Sequence, residues 1–129
     1  MIRLTLPYPV SGNRYWRHVV IGRSARTLVS REALAYRETV RAAFAESATA
    51  PLGGDVAVWL WLHPKQTAEG RTFKRRLDLD NVSKVALDAL QGLAFTDDAQ
   101  VVALHARLAE ARQGGGLTVH VVPAQEMAA

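Results

Sequence analysis

Two aspartates stand two residues apart at Asp78 and Asp80, directly before a stretch with helical spacing, and Lys84 follows one turn later. Carboxylate oxygens in this arrangement suit Mg²⁺ or Mn²⁺ better than zinc, because hard cations prefer oxygen ligands. Asn81 comes next and either orients a ligand or caps the helix. Aspartate before a helix is also an ordinary capping residue. The two interpretations are compatible, since Asp80 can begin the helix while its carboxylate and that of Asp78 face one cation.

The geometry expected around these residues supports a metal site. In an extended segment the side chains of Asp78 and Asp80 point to the same side, and two like charges repel unless a cation separates them. Lys84 lies one helical turn after Asp80 and therefore on the same helix face. A third acidic point comes from Asp97 and Asp98 at the start of the next predicted strand. The sequence permits either of them as a third ligand.

Alternating apolar residues predict the strands of a sheet, at residues 2–6, 55–63, 100–110 and 117–121. A small hairpin is predicted around a turn at residues 22–26. The stretch 55–63 is apolar on both faces, which is typical of a central strand covered on both sides. Trp59 and Trp61 belong to one of these faces, and they either pack in the core or meet a partner subunit.

Two stretches with helical spacing predict the main helices. The first begins after Ser30, a good N-cap, and runs to about Ser47. The second covers about residues 80–91, and its apolar stripe leaves Lys84 outside the core. Asp88 lies on the same side as Lys84 and is expected to pair with it or with solvent.

The order of elements, with strands mixed among two helices and a C-terminal hairpin, predicts an α+β fold with a small mixed β-sheet and two main helices. The 129 residues fit a single domain, which is expected to cover residues 1–123. Residues 124–129 are expected to form a disordered tail.

Cysteine is absent, which excludes disulfides, Cys-based zinc sites and thiol nucleophiles, and which fits a reducing compartment. The N-terminal stretch MIRLTLPYP is too short and too interrupted by proline for a signal peptide. No apolar stretch is long enough to span a membrane. The chain is therefore expected to be cytoplasmic and to have no membrane partner.

Positive charge is concentrated in arginine. The formal net charge is +4, and thirteen of the 16 basic residues are arginine. Residues 1–31 hold six arginines and no acidic residue, and a second basic run covers residues 71–76. Arginine forks match phosphate oxygens, so nucleic acid is the first expected partner. The alternative is a basic surface that serves solubility alone.

Six short motifs occur in one order along the chain: LPYP at 6–9, SGNRYWRH at 11–18, RRLDLDN at 75–81, Lys84, DAL at 88–90 and DDAQV at 97–101. Together they resemble the RusA family of Holliday junction resolvases, which are crossover junction endodeoxyribonucleases. The resemblance covers the chain from residue 2 to about residue 122. The combined motif at 75–101 is far more specific than an isolated Asp-x-Asp.

The resemblance implies a RusA-like fold and a small homodimeric endonuclease of bacteria or their prophages that depends on Mg²⁺, with Mn²⁺ as an alternative. Such enzymes resolve four-way junctions by paired symmetric nicks in DNA recombination and repair. By resemblance, Asp78, Asp80 and Asp98 are the metal-binding and catalytic carboxylates. The same resemblance favours Asp98 over Asp97 as the third carboxylate. It also implies that Lys84 is the catalytic lysine. The residues expected to bind DNA are Asn13, Arg14, Tyr15, Arg17, Arg71, Lys74, Arg75 and Arg76.

Two other functions are compatible with the same residues. One is a protein that binds junctions or other branched DNA without cleavage. The other is a less selective metal-dependent nuclease that acts on flaps, forks or RNA. A basic loop is predicted at residues 64–77. Tyr15 and Trp16 either stack on unpaired bases near a crossover or pack beneath this loop.

Overall fold

A mixed four-stranded sheet forms the centre of the protein, and two long helices pack on one of its faces. The computed structural model describes residues 1–10, 16–47, 49–72 and 78–127, and of residues 16, 17 and 127 it describes only the backbone. The described elements in chain order are β1 (Ile2–Leu6), β2 (Trp16–Ile21), β3 (Ser24–Val29), α1 (Arg31–Ser47), β4 (Val56–His63), β5 (Lys65–Gln66), α2 (Leu79–Leu90), β6 (Val101–Leu108), β7 (Arg112–Gln113), β8 (Gly116–Pro123) and α3 (Ala124–Met127). A single 3₁₀ turn, Asp98–Gln100, leads into β6.

The strand order in the sheet is β1-β8-β4-β6. β4 runs parallel to β6 and antiparallel to β8, and β8 runs antiparallel to β1. This arrangement confirms the predicted α+β fold with a mixed sheet. Because β4 and β6 are parallel neighbours, the chain has to cross from the end of one to the start of the other. α2 lies within that crossing and therefore runs opposite to both strands.

α1 confirms the first predicted helix. The hydroxyl oxygen of Ser30 accepts a hydrogen bond from the backbone N–H of Ala33 at 3.1 Å, which satisfies one free N–H of the first turn. The hydroxyl of Tyr36 donates to the carbonyl oxygen of Pro7 at 3.0 Å and so ties the helix to the segment after β1. The apolar stripe is buried in the core, at Ala33, Tyr36, Val40 and Phe44.

α2 begins earlier than predicted. Asp78, and not Asp80, occupies the N-cap position, and Leu79 is the first helical residue. Both aspartates suit the residue before a helix, so spacing alone did not distinguish them. The helix ends at Leu90, and Gly92 follows with a φ of 87°, a left-handed conformation that glycine adopts without strain. The predicted apolar stripe is confirmed as buried, at Val82, Val85, Ala86, Ala89 and Leu90.

The predicted hairpin is confirmed, but its turn is shorter than expected. β2 and β3 pair antiparallel, and Ile21 pairs with Ser24, so only Gly22 and Arg23 remain in the turn. Gly22 has a φ of 63°, which allows the chain to reverse within two residues. Residues 24–26, expected in the turn, therefore belong to β3.

β4 is the central strand, as predicted, but α1 and α2 cover only one of its faces. The residues that face these helices are buried, at Val56, Val58, Leu60 and Leu62. Trp59 and Trp61 lie on the other face and are partly exposed. The expectation that both faces are covered is therefore wrong for Trp59 and Trp61 within the described part of the chain, although Ala57 on the same face is buried. The alternative, that these tryptophans meet a partner subunit, stays a prediction. An indole carries a polar N–H and tolerates partial exposure, which an apolar pattern does not reveal.

The end of the chain is ordered further than predicted. Residues 124–127, expected to belong to a disordered tail, form the short helix α3. The backbone N–H of Ala124 donates to the carbonyl oxygen of Asp55 at 2.9 Å, which anchors the start of this helix beside β4. Residues 128 and 129 lie outside the described residues. Within the described ranges, no helix is long and apolar enough to cross a membrane.

Replacing Tyr36 with phenylalanine tests the contact between α1 and Pro7. Tyr36→Phe removes the hydrogen bond, so we expect it to lower the free energy of unfolding by about 1 kcal/mol at neutral pH. Burial raises the pKa of Tyr36, so above pH ~10 the unfolded chain ionises this hydroxyl while the folded chain keeps it neutral. Stability from this group is therefore present below pH ~10 and is lost as the pH rises further.

Urea unfolding of wild type and Tyr36→Phe at neutral and alkaline pH measures this effect. The difference in stability between the two proteins should narrow as the pH passes ~10. A difference that stays constant or widens would contradict the assignment.

Candidate active site

Asp78 and Asp80 lie at the N-terminus of α2, and both are exposed. Asp78 has extended backbone angles, φ −72° and ψ 140°, and its side chain makes no capping hydrogen bond to the helix. Asp80 lies in the first helical turn, where the unpaired backbone N–H groups favour a negative charge. The carboxylate of Asp78 is therefore not used to cap the helix, which leaves its oxygens available to a ligand.

Lys84 and Asp88 continue the exposed side of α2. The buried stripe faces the sheet, so Lys84 is exposed and Asp88 is partly buried. A carboxylate oxygen of Asp88 forms an ion pair with a guanidinium nitrogen of Arg37 on α1 at 3.2 Å, a partner that spacing within one helix does not predict. Burial raises the pKa of Asp88, and the negative charge of Asp98 acts in the same direction. Asp98 therefore lies near the C-terminal half of α2.

The two candidates for the third carboxylate have different environments. Asp97 caps the 3₁₀ turn, and its Oδ1 accepts a hydrogen bond from the backbone N–H of Ala99 at 2.9 Å. Asp98 is the next residue, and its side chain is exposed. Because the carboxylate of Asp97 is engaged in a cap, this geometry supports Asp98 as the third ligand.

Gln100 holds this turn in place, and the sequence analysis did not identify its role. Its Oε1 accepts hydrogen bonds from the backbone N–H groups of Thr96 at 2.8 Å and Asp97 at 2.9 Å. Its Nε2 donates to the carbonyl oxygens of Leu52 at 2.9 Å and Gly54 at 2.6 Å. The Asp-x-x-Gln spacing of a capping box is the signal that predicts the first pair. The hydrogen bonds to Leu52 and Gly54 join segments that are far apart in sequence, so no local sequence pattern predicts them.

The three predicted metal ligands do not meet within one chain. α2 runs opposite to β4 and β6, so its two ends lie at opposite ends of these strands. Asp80 is near the first end and Asp88, beside Asp98, is near the second; eight residues of helix span about 12 Å. Among the described residues, no three His, Asp or Glu side chains come close enough to hold a metal ion. The oxygen donors suit Mg²⁺ chemically, but only Asp78 and Asp80 are neighbours, at the N-cap and in the first turn of α2. Because Asp80 is helical, the expected extended segment with both side chains on one side is wrong.

Most of the predicted DNA-binding residues lie outside the described residues, namely Asn13, Arg14, Tyr15, Lys74, Arg75 and Arg76. Arg17 belongs to β2, and its side chain is likewise outside the described part. Arg71 is described and is exposed at the end of a tight turn. Its carbonyl oxygen accepts from the N–H of Thr67 at 2.7 Å, and its own N–H donates to the Thr67 hydroxyl at 3.0 Å. This turn follows β5, which forms within the predicted basic loop and pairs with β7.

The sequence that forms this fold matches a known family of nucleases. A family model described as Endodeoxyribonuclease RusA matches residues 7–122. The chain belongs to the RusA family. The crossover junction endodeoxyribonuclease RusA of Escherichia coli strain K12 is 37% identical over 119 residues, which are 92% of this chain and 91% of that protein. The crossover junction endodeoxyribonucleases RusA of Shigella sonnei and of Enterobacteria phage 82 are 35% and 34% identical to this chain. Both alignments also cover 92% of this chain and 91% of the relative.

Family membership confirms the resemblance that the motifs indicated. The matched range contains the whole of α2, the 3₁₀ turn and the four residues Asp78, Asp80, Lys84 and Asp98. It also contains β4, β6 and all of β8 except Pro123, whereas β1 lies before it. The candidate site and three of the four strands of the sheet therefore lie within the range that the family model matches.

Gln100→Leu tests whether this side chain holds the turn that carries Asp98. The substitution keeps a similar size but removes four hydrogen bonds, so we expect the free energy of unfolding to fall by about 2 kcal/mol. Gln113→Leu is a matched control, because Gln113 is exposed on β7, and a change within about 0.5 kcal/mol is expected there. Equal effects of the two substitutions in urea unfolding would show that Gln100 does not anchor the turn.

Proposed function

We propose that this chain is a structure-selective endodeoxyribonuclease that resolves four-way DNA junctions by paired symmetric nicks. It would act in DNA recombination and repair, in the cytoplasm of a bacterium. The match to the RusA family over residues 7–122 carries the proposal, because that range includes the exposed carboxylates and the lysine of α2. The junction substrate rests on the name that the relatives share, crossover junction endodeoxyribonuclease.

The oxygen donors of the three aspartates support Mg²⁺ as the ion of the proposed enzyme. Asp78, Asp80 and Asp98 would hold Mg²⁺, with Mn²⁺ as an alternative, since all three offer hard carboxylate oxygens. When bound, the ion supplies an activated water and stabilises the negative charge that develops on the scissile phosphate. Lys84 would add a positive charge beside the same phosphate or the leaving oxygen. The expected products carry a 5′-phosphate and a 3′-hydroxyl.

A homodimer matches the symmetry of the substrate. A four-way junction has approximate two-fold symmetry, and a dimer with a two-fold axis presents one site to each of two opposed strands. Paired symmetric nicks follow from this arrangement. The exposed Arg71 and the basic residues of the flanking segments would contact the phosphate backbone of the arms, and such contacts weaken as salt concentration rises.

The dimer also offers a way to complete the metal site. β6 is an outer strand of the sheet and carries exposed apolar side chains at Val102 (57% exposed), Leu104 (41%) and Leu108 (41%). Such an edge readily pairs with another strand. Antiparallel pairing of two β6 strands would set the start of one, next to Asp98, beside the end of the other. That end of the sheet is the one at which α2 begins, so Asp98 of a second copy would approach Asp78 and Asp80.

A junction-binding protein without cleavage is the second candidate. The separation of Asp98 from Asp78 within one chain is the observation that favours it, because a site with two carboxylates holds a metal less firmly. A less selective metal-dependent nuclease is the remaining alternative. A cleavage assay in which four-way junction, fork and linear duplex DNA compete in one tube tests it. Comparable cleavage of all three substrates would support that function instead of junction resolution.

Asp80→Asn tests the catalytic assignment. We expect the wild type to nick a synthetic four-way junction symmetrically in Mg²⁺, and the variant to cleave more than about 100-fold more slowly, because one carboxylate ligand is lost. Binding of the junction in EDTA should persist in the variant. Equal cleavage by both proteins would remove Asp80 from the site, and tight binding by wild type without cleavage in either Mg²⁺ or Mn²⁺ would favour the second candidate.

Mixing two inactive variants tests whether the site is shared between copies. We expect Asp80→Asn and Asp98→Asn to be inactive alone but to regain nicking when they are refolded together. In a mixed dimer with shared sites, one site combines the intact Asp78 and Asp80 of one chain with the intact Asp98 of the other. A site formed within one chain stays defective in every mixed dimer. The readout is single-strand nicking of a cruciform plasmid, and no recovery in the mixture would contradict a shared site.

A further inference from the structure

The sheet face opposite to α1 and α2 is open in the described part of the chain. Its residues follow from the strand register, which aligns them in two rows across all four strands. The first row is Arg3, His120, Trp59 and His105, and the second is Thr5, Thr118, Trp61 and Arg107. We call these eight residues the open sheet face. The face is rich in aromatic rings and cations, which is unusual for a surface that serves solubility alone.

Four rings of the open sheet face form one patch. The Trp59 ring stacks on the His105 ring, with centroids 3.9 Å apart and planes at 13°. Trp61 meets the His120 ring edge-on at 4.6 Å, and the two tryptophan centroids are 6.1 Å apart. His105 is exposed and the other three are partly exposed. Because the rings support one another, the patch is rigid before any partner arrives, which lowers the entropy cost of binding.

The charge of the open sheet face fits a polyanion. Arg3 and Arg107 are exposed on its two outer strands, and neither row contains an acidic residue. A depression of about 160 Å³ lies beside Arg3, lined also by Thr5, Thr118 and His120. Glu110 lies just beyond the end of β6 and forms an ion pair with Arg112 at 3.1 Å. The face is therefore cationic at both edges and aromatic between them.

We propose that the open sheet face binds single-stranded DNA. Bases would extend the aromatic stack by packing against the exposed His105 ring, which stacks on Trp59, and phosphates would meet the guanidinium groups of Arg3 and Arg107. Aromatic rings reach the faces of bases only when the strand is unpaired, and such stacking tolerates any base sequence. A duplex hides these base faces, so the patch suits a single strand better than a double helix.

This inference goes beyond the proposed junction cleavage because the two surfaces lie on opposite sides of the sheet. Asp80 and Lys84 belong to α2, which packs on the helical side. A strand on the open sheet face is therefore not the strand that is cut. Contact between two copies through this face is disfavoured, because it would bring the arginines of both copies into one interface, where neither row has an acidic residue to pair with them.

A binding experiment in EDTA, where cleavage is absent, tests the proposal. The full chain is titrated with single-stranded oligothymidylate of about 15 nucleotides, within the site size of known single-strand platforms. Tryptophan fluorescence and anisotropy report the binding. Arg3→Gln with Arg107→Gln should weaken binding about tenfold and reduce the slope of log affinity against log salt by about 1.4, the loss of two phosphate contacts. Arg41→Gln is the matched control, because Arg41 is exposed on α1.

Trp59→Phe should retain most of the affinity and Trp59→Leu should lose it, because the phenyl ring still stacks. Oligouridylate and duplex DNA of equal length complete the comparison. Both should bind more weakly, since uracil lacks the methyl group that enlarges the stacking surface of thymine and a duplex hides its base faces. Three results would overturn the proposal: unchanged affinity in the double arginine variant, stronger binding of oligouridylate, or dissociation of a dimer in the variants, measured by sedimentation. The last result would make the face a contact between copies.

Discussion

Packing of the apolar stripe of α2 against the sheet is the constraint on which the rest of the structure depends. The stripe residues, from Val82 to Leu90, are buried among the side chains of the sheet, and this burial turns Asp80 and Lys84 outward. Because α2 lies between two parallel strands along the chain, the same packing sends its two ends to opposite ends of β4 and β6. One interaction therefore exposes two carboxylates and a lysine, and also separates them from Asp98.

In the proposed nuclease, the separation of the acidic residues would make catalysis depend on assembly. A metal held by Asp78 and Asp80 alone lacks a third carboxylate, and Asp98 lies about a helix length away within the same chain. The exposed apolar edge of β6 and the two-fold symmetry of a junction point to the same arrangement, in which two copies complete each other. Such a nuclease would assemble its metal sites only as a dimer. The two cuts would then be coupled, because both sites form when the two copies pair.

The periodic spacing of apolar residues predicted the main helices and strands. It did not predict the contacts between segments that are distant in sequence. The stripes of α1 and α2 and the position of β4 were predictable because burial imposes a regular spacing on apolar residues. The start of α2 was misplaced because Asp78 and Asp80 are equally good caps. The ion pair of Arg37 with Asp88, and the bonds from Gln100 to Leu52 and Gly54, depend on tertiary structure. The candidate site was thus predictable in its residue types, but its division between two ends of a helix was not.

The central claim is that a divalent cation binds where Asp78 and Asp80 of one copy meet Asp98 of another. A crystal of the wild-type protein soaked in Mn²⁺ tests it most directly, because manganese gives an anomalous signal that marks its position. The account predicts one anomalous peak, or a close pair, at each such junction of two copies, within about 2–2.5 Å of carboxylate oxygens from both. A peak bound by the carboxylates of a single chain, or no peak near Asp78 and Asp80, would contradict it.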